Sequence, residues 1–176
     1  MLPIQLLAYE PMFLRPFIEW RNQPLSIRYN PLQTMSDAEI EKMLQAEGVD
    51  LASLKKYESF RWFISADGEI IGTLSLKNIS HSMGYAEIGY GLSESHHGKG
   101  IITAALRILI EKIFNESPLR RLLAYVHEEN HASRRVLEKL GFQEEGLLRE
   151  HYLINGTPAN EIVYGLLKRE WVDGDK

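Results

Sequence analysis

The pattern of apolar and polar positions divides the chain into a helical first third and a strand-rich remainder. After an apolar opening at Ile4–Leu7, apolar side chains recur on one face of residues 12–20, interrupted by Pro16. Ser36 and Glu39 have the spacing of a capping box, and the apolar stripe that follows them predicts a second helix. We therefore expect the first third of the chain to be helical.

From about Phe60 the apolar period becomes that of strands, with two returns to helical spacing. Asp67-Gly68 supplies the turn chemistry of a tight hairpin between the first two strands. Helical spacing resumes at Ile101 and again after Asn130, which is a suitable helix cap. The predicted strands are residues 60–65, 70–76, 85–92, 122–126, 142–154 and 161–167, the last two joined through residues 155–158.

The resulting order is helices, three strands, a helix, a strand, a helix and two strands. This order predicts an α+β fold in which a mixed sheet carries helices on its faces. Neither a repeat nor a flexible linker interrupts the pattern. We therefore expect one domain that spans residues 1–176.

Composition excludes several classes of protein. The absence of cysteine rules out disulfides, thiolate metal sites and a cysteine nucleophile. A net charge of -4 argues against broad nucleic-acid binding. No apolar run approaches the roughly 20 residues that cross a bilayer. We expect a cytoplasmic protein that binds neither nucleic acid nor membrane.

The most informative segment joins the third predicted strand to the helix that starts at Ile101. Gly98-Lys99-Gly100 lies directly before that helix. The start of a helix presents unpaired backbone N–H groups and the positive end of the helix dipole, and glycine lets an anion approach the chain closely. The segment therefore predicts a phosphate or pyrophosphate site.

Two common phosphate-binding motifs do not fit this loop. A Walker A loop needs glycine at the position of Ser93, and it needs serine or threonine where Gly100 follows Lys99. A dinucleotide-binding fingerprint that starts at Gly98 needs its last glycine at Thr103. Both alternatives are excluded.

The loop resembles the pyrophosphate loop of the GNAT superfamily of N-acetyltransferases, written Gln/Arg-x-x-Gly-x-Gly/Ala, with His97 at its first position. The resemblance continues in NHAS at residues 130–133, LGF at 140–142 and AEIGYGL at 86–92, and it covers residues 60–171. The sequence is most similar to the branch of ribosomal-protein-serine and ribosomal-protein-alanine N-terminal acetyltransferases. Residues 20–22, Trp-Arg-Asn, also resemble that branch.

The resemblance implies a mostly antiparallel GNAT sheet with helices on both faces, and acetyl transfer from acetyl-CoA to an amine by direct attack in a ternary complex. The pantetheine arm of the coenzyme would pair with the backbone of Gly91 and Leu92, and Asn130 would contact the same arm. No metal is implied. The amides expected to hold the pyrophosphate are those of His97, Gly98, Lys99, Gly100, Ile101, Ile102 and Thr103.

The resemblance also suggests candidates for proton transfer. In many GNAT enzymes a tyrosine acts as the general acid at the position where this chain has Leu137. In the ribosomal-protein branch a serine has that role, and its position matches Ser133. Ser133 is equally well interpreted as a first-turn serine that bonds to backbone. In that branch the proposed general base is a glutamate whose position matches Tyr152. Glu150 lies two residues earlier, and strand alternation predicts that it shares a face with Tyr152, so it is a candidate base; Glu87 is a second one.

Other functions remain open at this point. Residues 127–131 spell His-Glu-Glu-Asn-His, the string of a zinc metallopeptidase, although a strand precedes them and a helix cap lies within them. A non-catalytic acyl-CoA-binding module keeps the same fold. The first acceptor to consider is the N-terminal α-amine of a ribosomal or other protein, with polyamines, aminoglycosides and amino acids as alternatives. A homodimer is common in this branch.

Overall fold

The computed structural model describes residues 3–171, which build one seven-stranded sheet. The strand order is β1-β2-β3-β4-β5-β7-β6, and only β4 and β5 are parallel. Residues 1, 2 and 172–176 of the expected domain lie outside the described residues. The strands are β1 Ile4–Leu7, β2 Phe60–Ala66, β3 Glu69–Ser80, β4 Tyr85–Leu92, β5 Arg121–His127, β6 Gln143–Ile154 and β7 Thr157–Leu167.

Between residues 3 and 171, five α-helices accompany the sheet: α1 Leu14–Arg21, α2 Pro24–Tyr29, α3 Asp37–Ala46, α4 Ile101–Glu116 and α5 His131–Lys139. The capping box of α3 is confirmed, because Ser36 Oγ accepts from the Glu39 amide and a Glu39 carboxylate oxygen accepts from the Ser36 amide. Pro16 lies in the first turn of α1, where an amide has no helical partner to lose. A proline in the sequence pattern therefore does not break this helix.

The prediction that the first third is helical was wrong at its start. Ile4–Leu7 forms β1, which pairs antiparallel with β2. A four-residue segment with three apolar side chains is too short to show a period, and its conformation is decided by the backbone partners that β2 offers. The β6–β7 boundary also differs from expectation, since β7 begins at Thr157 and includes Pro158. Proline is accommodated there because β5 pairs with β7 only from Glu161 onward.

Both expected hairpin turns are confirmed. Asp67 and Gly68, between β2 and β3, have φ of 52° and 78°, and Asn155 and Gly156, between β6 and β7, have φ of 50° and 79°. Positive φ at both central residues is the geometry that two-residue hairpins favour. These turns fix the register of the β2–β3 and β6–β7 hairpins.

Helices cover both faces of the sheet and give it three layers. Neighbouring β2 residues divide between the two cores, because alternate side chains of a strand point to opposite faces. Trp62 packs in the larger core, which includes the apolar residues of α4 and α5, whereas Phe63 packs with Phe13 and Phe17 of the segment around α1. The predicted α+β architecture is therefore confirmed.

Candidate active site

The sheet opens between its two parallel strands. Within residues 3–171, β4 and β5 pair only where Tyr85–Glu87 faces residues 121–123. Beyond that point, β4 continues to Leu92 along β3, and β5 continues to His127 along β7. We call the space between residues 88–92 and 124–127 the β4–β5 gap. Along it, the β4 edge that faces β5 offers backbone groups to a ligand that lies between the strands.

The loop after β4 leaves the start of α4 open to an anion. Gly98 and Gly100 have φ of 75° and 74°, in the left-handed region, and a Cβ built on either would meet no atom of the described residues within 4 Å. Gly100 caps α4, and the first helical bond runs from the Ala104 amide to the Gly100 carbonyl. The amides that precede it therefore face outward without helical partners. This geometry fits the predicted pyrophosphate position.

Side chains of the loop hold its own backbone. His97 Nε2 lies 3.0 Å from the Leu92 carbonyl oxygen, and Lys99 Nζ donates to the Ser95 carbonyl at 3.1 Å. Gly91 is exposed, and a Cβ there would also meet nothing described. The side chains of His97 and Lys99 thus support the shape of the loop, and the coenzyme contacts of its backbone amides stay a prediction.

The start of α5 forms the opposite wall of the gap. Asn130 Oδ1 accepts from the Ser133 amide at 3.1 Å, which confirms Asn130 as the helix cap. Ser133 is half-buried, and its Oγ lies 2.6 Å from the hydroxyl oxygen of Tyr90. Leu137 is buried. The structure therefore brings together Ser133, Asn130 and the unpaired edge of β4.

A second opening, which we call the Glu87 cleft, lies on the other face of the sheet. Glu87 is in the last pair before β4 and β5 separate, and it is 9% exposed. Its carboxylate accepts from Asn78 Nδ2 at 2.6 Å and forms an ion pair with Lys77 Nζ at 2.9 Å. The cleft has a volume of about 390 Å³. It is lined by Pro31, Lys77, Asn78, Tyr85, Glu87, Leu123, Tyr125, His151, Tyr152 and Glu161.

Tyr152 contributes a neutral hydroxyl to this cleft. Its hydroxyl oxygen is buried and has no hydrogen-bond partner within residues 3–171. Burial, followed by the charges of Glu161 and Glu128, raises the pKa of Tyr152 to about 12. The phenol therefore keeps its proton at neutral pH, and its hydrogen-bonding capacity is unused within residues 3–171.

The expectation that Glu150 and Tyr152 share a face through simple alternation was wrong. The register of β6 against β7 shifts between Leu148 and Tyr152, and Glu150 has φ of 49°. Its amide donates to Asn160 Oδ1 at 2.7 Å, and its side chain is exposed. The irregularity adds residues to β6, so counting by two fails across it. The role of Glu150 as a base stays a prediction, and the structure directs attention to Glu87 instead.

The zinc-motif string does not have the helical geometry that the motif requires. His127 is the last residue of β5, and His131 is the first residue of α5. The His127 ring packs near Tyr29 and Tyr152, on the side of the Glu87 cleft. His127 and His131 therefore do not lie on one face of a single helix, as the zinc motif requires.

The segment that contains helix α2 contacts residues on both sides of the β4–β5 gap. The Leu25 amide donates to a Glu94 carboxylate oxygen at 2.8 Å, and the Glu94 amide donates to Gln23 Oε1 at 2.9 Å. On the other side, the rings of Tyr29 and His127 lie 5.3 Å apart. The segment connects the loop after β4 with the end of β5.

Comparison with known proteins identifies the family. The family described as acetyltransferase (GNAT) domain matches residues 6–143, more than half of the chain. The chain belongs to the GNAT acetyltransferase family. The predicted family and fold are thus confirmed, and the β4–β5 gap is the place at which the family resemblance puts the coenzyme.

The relatives of this GNAT chain differ in the acceptors that their names give. It is 44% identical over 110 residues to the putative ribosomal N-acetyltransferase YdaF of Bacillus subtilis, covering 62% of this chain and 60% of the relative. It is 30% identical over 112 residues to spermidine N(1)-acetyltransferase of Escherichia coli, covering 64% and 60%. In each case the matched segment spans less than two thirds of the relative.

A solved structure extends the likeness to nearly the whole chain. Mycobacterium smegmatis RimJ in complex with CoA-disulfide superposes with a TM-score of 0.83 at 26% identity, covering 95% of this chain and 83% of that one. No helix within residues 3–171 is long and apolar enough to cross a membrane.

Sequence reasoning missed Tyr90 and the partners of Glu87. Tyr90 lies within the AEIGYGL segment, but its contact with Ser133 joins residues that are 43 positions apart. Alternation along β4 could have placed Tyr90 and Glu87 on opposite faces, because their separation is odd. Which helix the Tyr90 side chain contacts depends on how β4 and β5 separate. A local sequence pattern does not encode that separation.

Proposed function

We propose that this GNAT chain transfers the acetyl group of acetyl-CoA to a primary amine, most specifically the N-terminal α-amine of a protein. The observation that carries the proposal is the separation of β4 from β5 next to Glu87. It opens the sheet between an anion site at the start of α4 and the Glu87 cleft. A thioester held in the gap would therefore meet an amine held in the cleft.

The donor side would rely on backbone groups. The amides of Gly98 to Thr103 would bind the pyrophosphate, and Gly91 and Leu92 would pair with the pantetheine arm, which supplies the activated acyl group. Asn130 would contact the same arm. The fit is supported by open space at Gly91, Gly98 and Gly100, since a Cβ built on any of them would meet no described atom within 4 Å and a ligand can approach the backbone there.

The acceptor side would rely on Glu87 and Tyr152. An amine is mostly protonated at neutral pH and must lose a proton before it attacks. The Glu87 carboxylate lies in the cleft and keeps lone pairs beyond its bonds to Asn78 and Lys77, so it would accept that proton directly or through water. The free hydroxyl of Tyr152 would hold the amine or the neighbouring carbonyl group. Ser133 would then assist departure of the sulfur.

The charge balance of the cleft supports an acceptor with one positive charge. Glu87 is paired with Lys77, and a Glu161 oxygen lies 2.6 Å from His151 Nδ1. A polyamine carries further ammonium groups, and each would need an additional carboxylate that is not already in an ion pair. The YdaF likeness supports the same acceptor class, while the spermidine enzyme supports the alternative.

A larger cavity next to the cleft supports a peptide acceptor. Pro31 lines both the Glu87 cleft and this larger cavity, which has a volume of about 520 Å³. Asn22, Asn30 and Gln33 line it and offer amide groups that match the hydrogen-bonding groups of a peptide backbone. The residues that follow the reactive α-amine would lie in this cavity.

The test is thiol release from acetyl-CoA with a matched acceptor panel. The panel contains peptides that begin with serine or alanine, the same peptides with blocked N-termini, spermidine, and an aminoglycoside. We expect release with free peptides only, at acetylated α-amines identified by mass spectrometry. Release with spermidine alone would establish the polyamine alternative. Coenzyme binding without release for every acceptor would establish a binding module.

A further inference from the structure

Tyr90 makes a contact that links β4 to α5 across the β4–β5 gap. Its hydroxyl oxygen lies 2.6 Å from Ser133 Oγ and 3.3 Å from the Ser133 carbonyl oxygen. The ring packs against the larger core, so the side chain approaches α5 from below the opening. Tyr90 belongs to the part of β4 that no longer pairs with β5. The phenol of Tyr90 therefore connects the unpaired part of β4 to the first turn of α5.

The direction of this hydrogen bond decides what Ser133 can do. Burial raises the pKa of Tyr90 well above its ordinary value, so the phenol stays protonated at any working pH. The phenol has one hydrogen and two Ser133 oxygens within reach. When it donates to Oγ, the shorter contact, it satisfies one lone pair of the serine and leaves the serine's own hydrogen free, whereas donation to the carbonyl would make the serine the donor to the phenol. The Ser133 amide is already held by Asn130 Oδ1 at 3.1 Å. Backbone and hydroxyl of Ser133 are thus fixed from two sides.

We infer that Tyr90 is a positioning residue for Ser133, whose hydroxyl it orients toward the sulfur of the acyl donor. This inference rests on the proposed acetyl transfer. Leu137, one turn further along α5, is buried and carries no donor. Tyr90 brings a hydroxyl to the same helix from the neighbouring strand, and it acts through Ser133 without touching the substrate.

The step that Tyr90 supports is direct transfer of the acyl group from sulfur to nitrogen. The protonated amine gives one proton to the base, and its nitrogen forms a bond to the acyl carbon. The carbon–sulfur bond breaks, and its electron pair goes to sulfur while the Ser133 hydroxyl donates a hydrogen bond to it. The nitrogen loses its second proton, and the thiolate gains one from solvent. The products are an amide, a free thiol and one released proton.

A double-mutant cycle on kcat tests this role. The variants are Tyr90→Phe, Ser133→Ala and the double variant, with Tyr57→Phe as the control, because Tyr57 packs beside Phe60 before β2. Tyr90→Phe keeps the ring and should lower kcat roughly three- to tenfold, the loss of one ordinary hydrogen bond. The double variant should have the kcat of Ser133→Ala. The Kd for coenzyme A should stay within about twofold of wild type in each variant.

Three results would overturn the inference. Tyr90→Phe could have the kcat of wild type, its loss could multiply with that of Ser133→Ala, or Tyr57→Phe could lose as much. Ser133→Thr keeps a hydroxyl and should remain sensitive to Tyr90→Phe, which separates orientation from general loss of stability. Thermal unfolding checks that each variant is folded at the assay temperature. If wild type transfers acetyl to no amine in the panel, the proposed function fails, whereas activity that is indifferent to Tyr90 refutes only this inference.

Discussion

Replacement of Gly100 by alanine separates backbone strain from coenzyme binding. Gly100 has φ of 74°, and Gly156 in the β6–β7 turn has φ of 79°. A Cβ at either position would meet no atom of the chain between residues 3 and 171 within 4 Å. An alanine at either site therefore has the same conformational penalty, about 1–2 kcal/mol, without a steric clash. Gly156→Ala is the matched control.

The two variants should differ only in affinity for the coenzyme. Both should lower Tm by about 2–8 °C, since 1 kcal/mol corresponds to roughly 2–4 °C in a chain of this size. Only Gly100→Ala adds a methyl group beside the free amides of α4. Loss of one charge-assisted hydrogen bond, about 1.5–3 kcal/mol, would weaken coenzyme A binding roughly 10- to 100-fold. Calorimetric titration and thermal unfolding measure both quantities.

Two patterns of results would contradict coenzyme binding at Gly100. If Gly100→Ala and Gly156→Ala lose similar stability and both retain wild-type affinity for coenzyme A, no anion approaches the chain at Gly100. A loss of affinity in both variants would attribute the effect to general destabilisation. Either pattern removes the start of α4 from the binding site.

Three further predictions concern the acceptor side. Glu87→Gln should lower kcat about 100-fold or more with an unchanged Kd for coenzyme A, whereas Glu150→Gln should change kcat less than about twofold; steady-state thiol release decides between them, and the reverse order would restore Glu150 as the base. Burial and two neighbouring glutamates raise the pKa of Tyr152 from 10.0 to about 12, so its contribution to stability is complete below pH 10 and is lost as pH rises through 12. The Tm of wild type should therefore fall more steeply across that window than the Tm of Tyr152→Phe, and parallel curves would contradict the shift. Glu94→Ala removes the acceptor of the Leu25 amide and should raise KM for the amine about two- to fivefold without changing kcat; an unchanged KM would detach α2 from acceptor binding.

Features with a local cause could be predicted from the sequence. The capping box at Ser36 depends on residues three positions apart, and the Asp67-Gly68 and Asn155-Gly156 turns depend on residues that tolerate positive φ. The open loop at Gly98 to Gly100 is equally local, because it needs only glycines that adopt positive φ before a helix; its binding of an anion stays a prediction. Each of these is decided within a few residues of the chain.

Features that depend on distant pairing could not be predicted in the same way. Residues 4–7 form strand β1 because their backbone pairs antiparallel with β2. The position of Glu150 depends on a register shift against β7, and the contact between Tyr90 and Ser133 depends on how far β4 and β5 separate. No period or spacing in the sequence encodes these distances. The candidate site was therefore predictable on its donor side and largely hidden on its acceptor side.

Calorimetric titration with coenzyme A and with pantetheine tests the central claim most directly, that the opened sheet and the start of α4 hold the two ends of one cofactor. The account predicts saturable heat with coenzyme A and at least roughly 100-fold weaker binding of pantetheine, which lacks the pyrophosphate. Equal affinity for the two compounds, or no heat from coenzyme A at millimolar concentration, would contradict it.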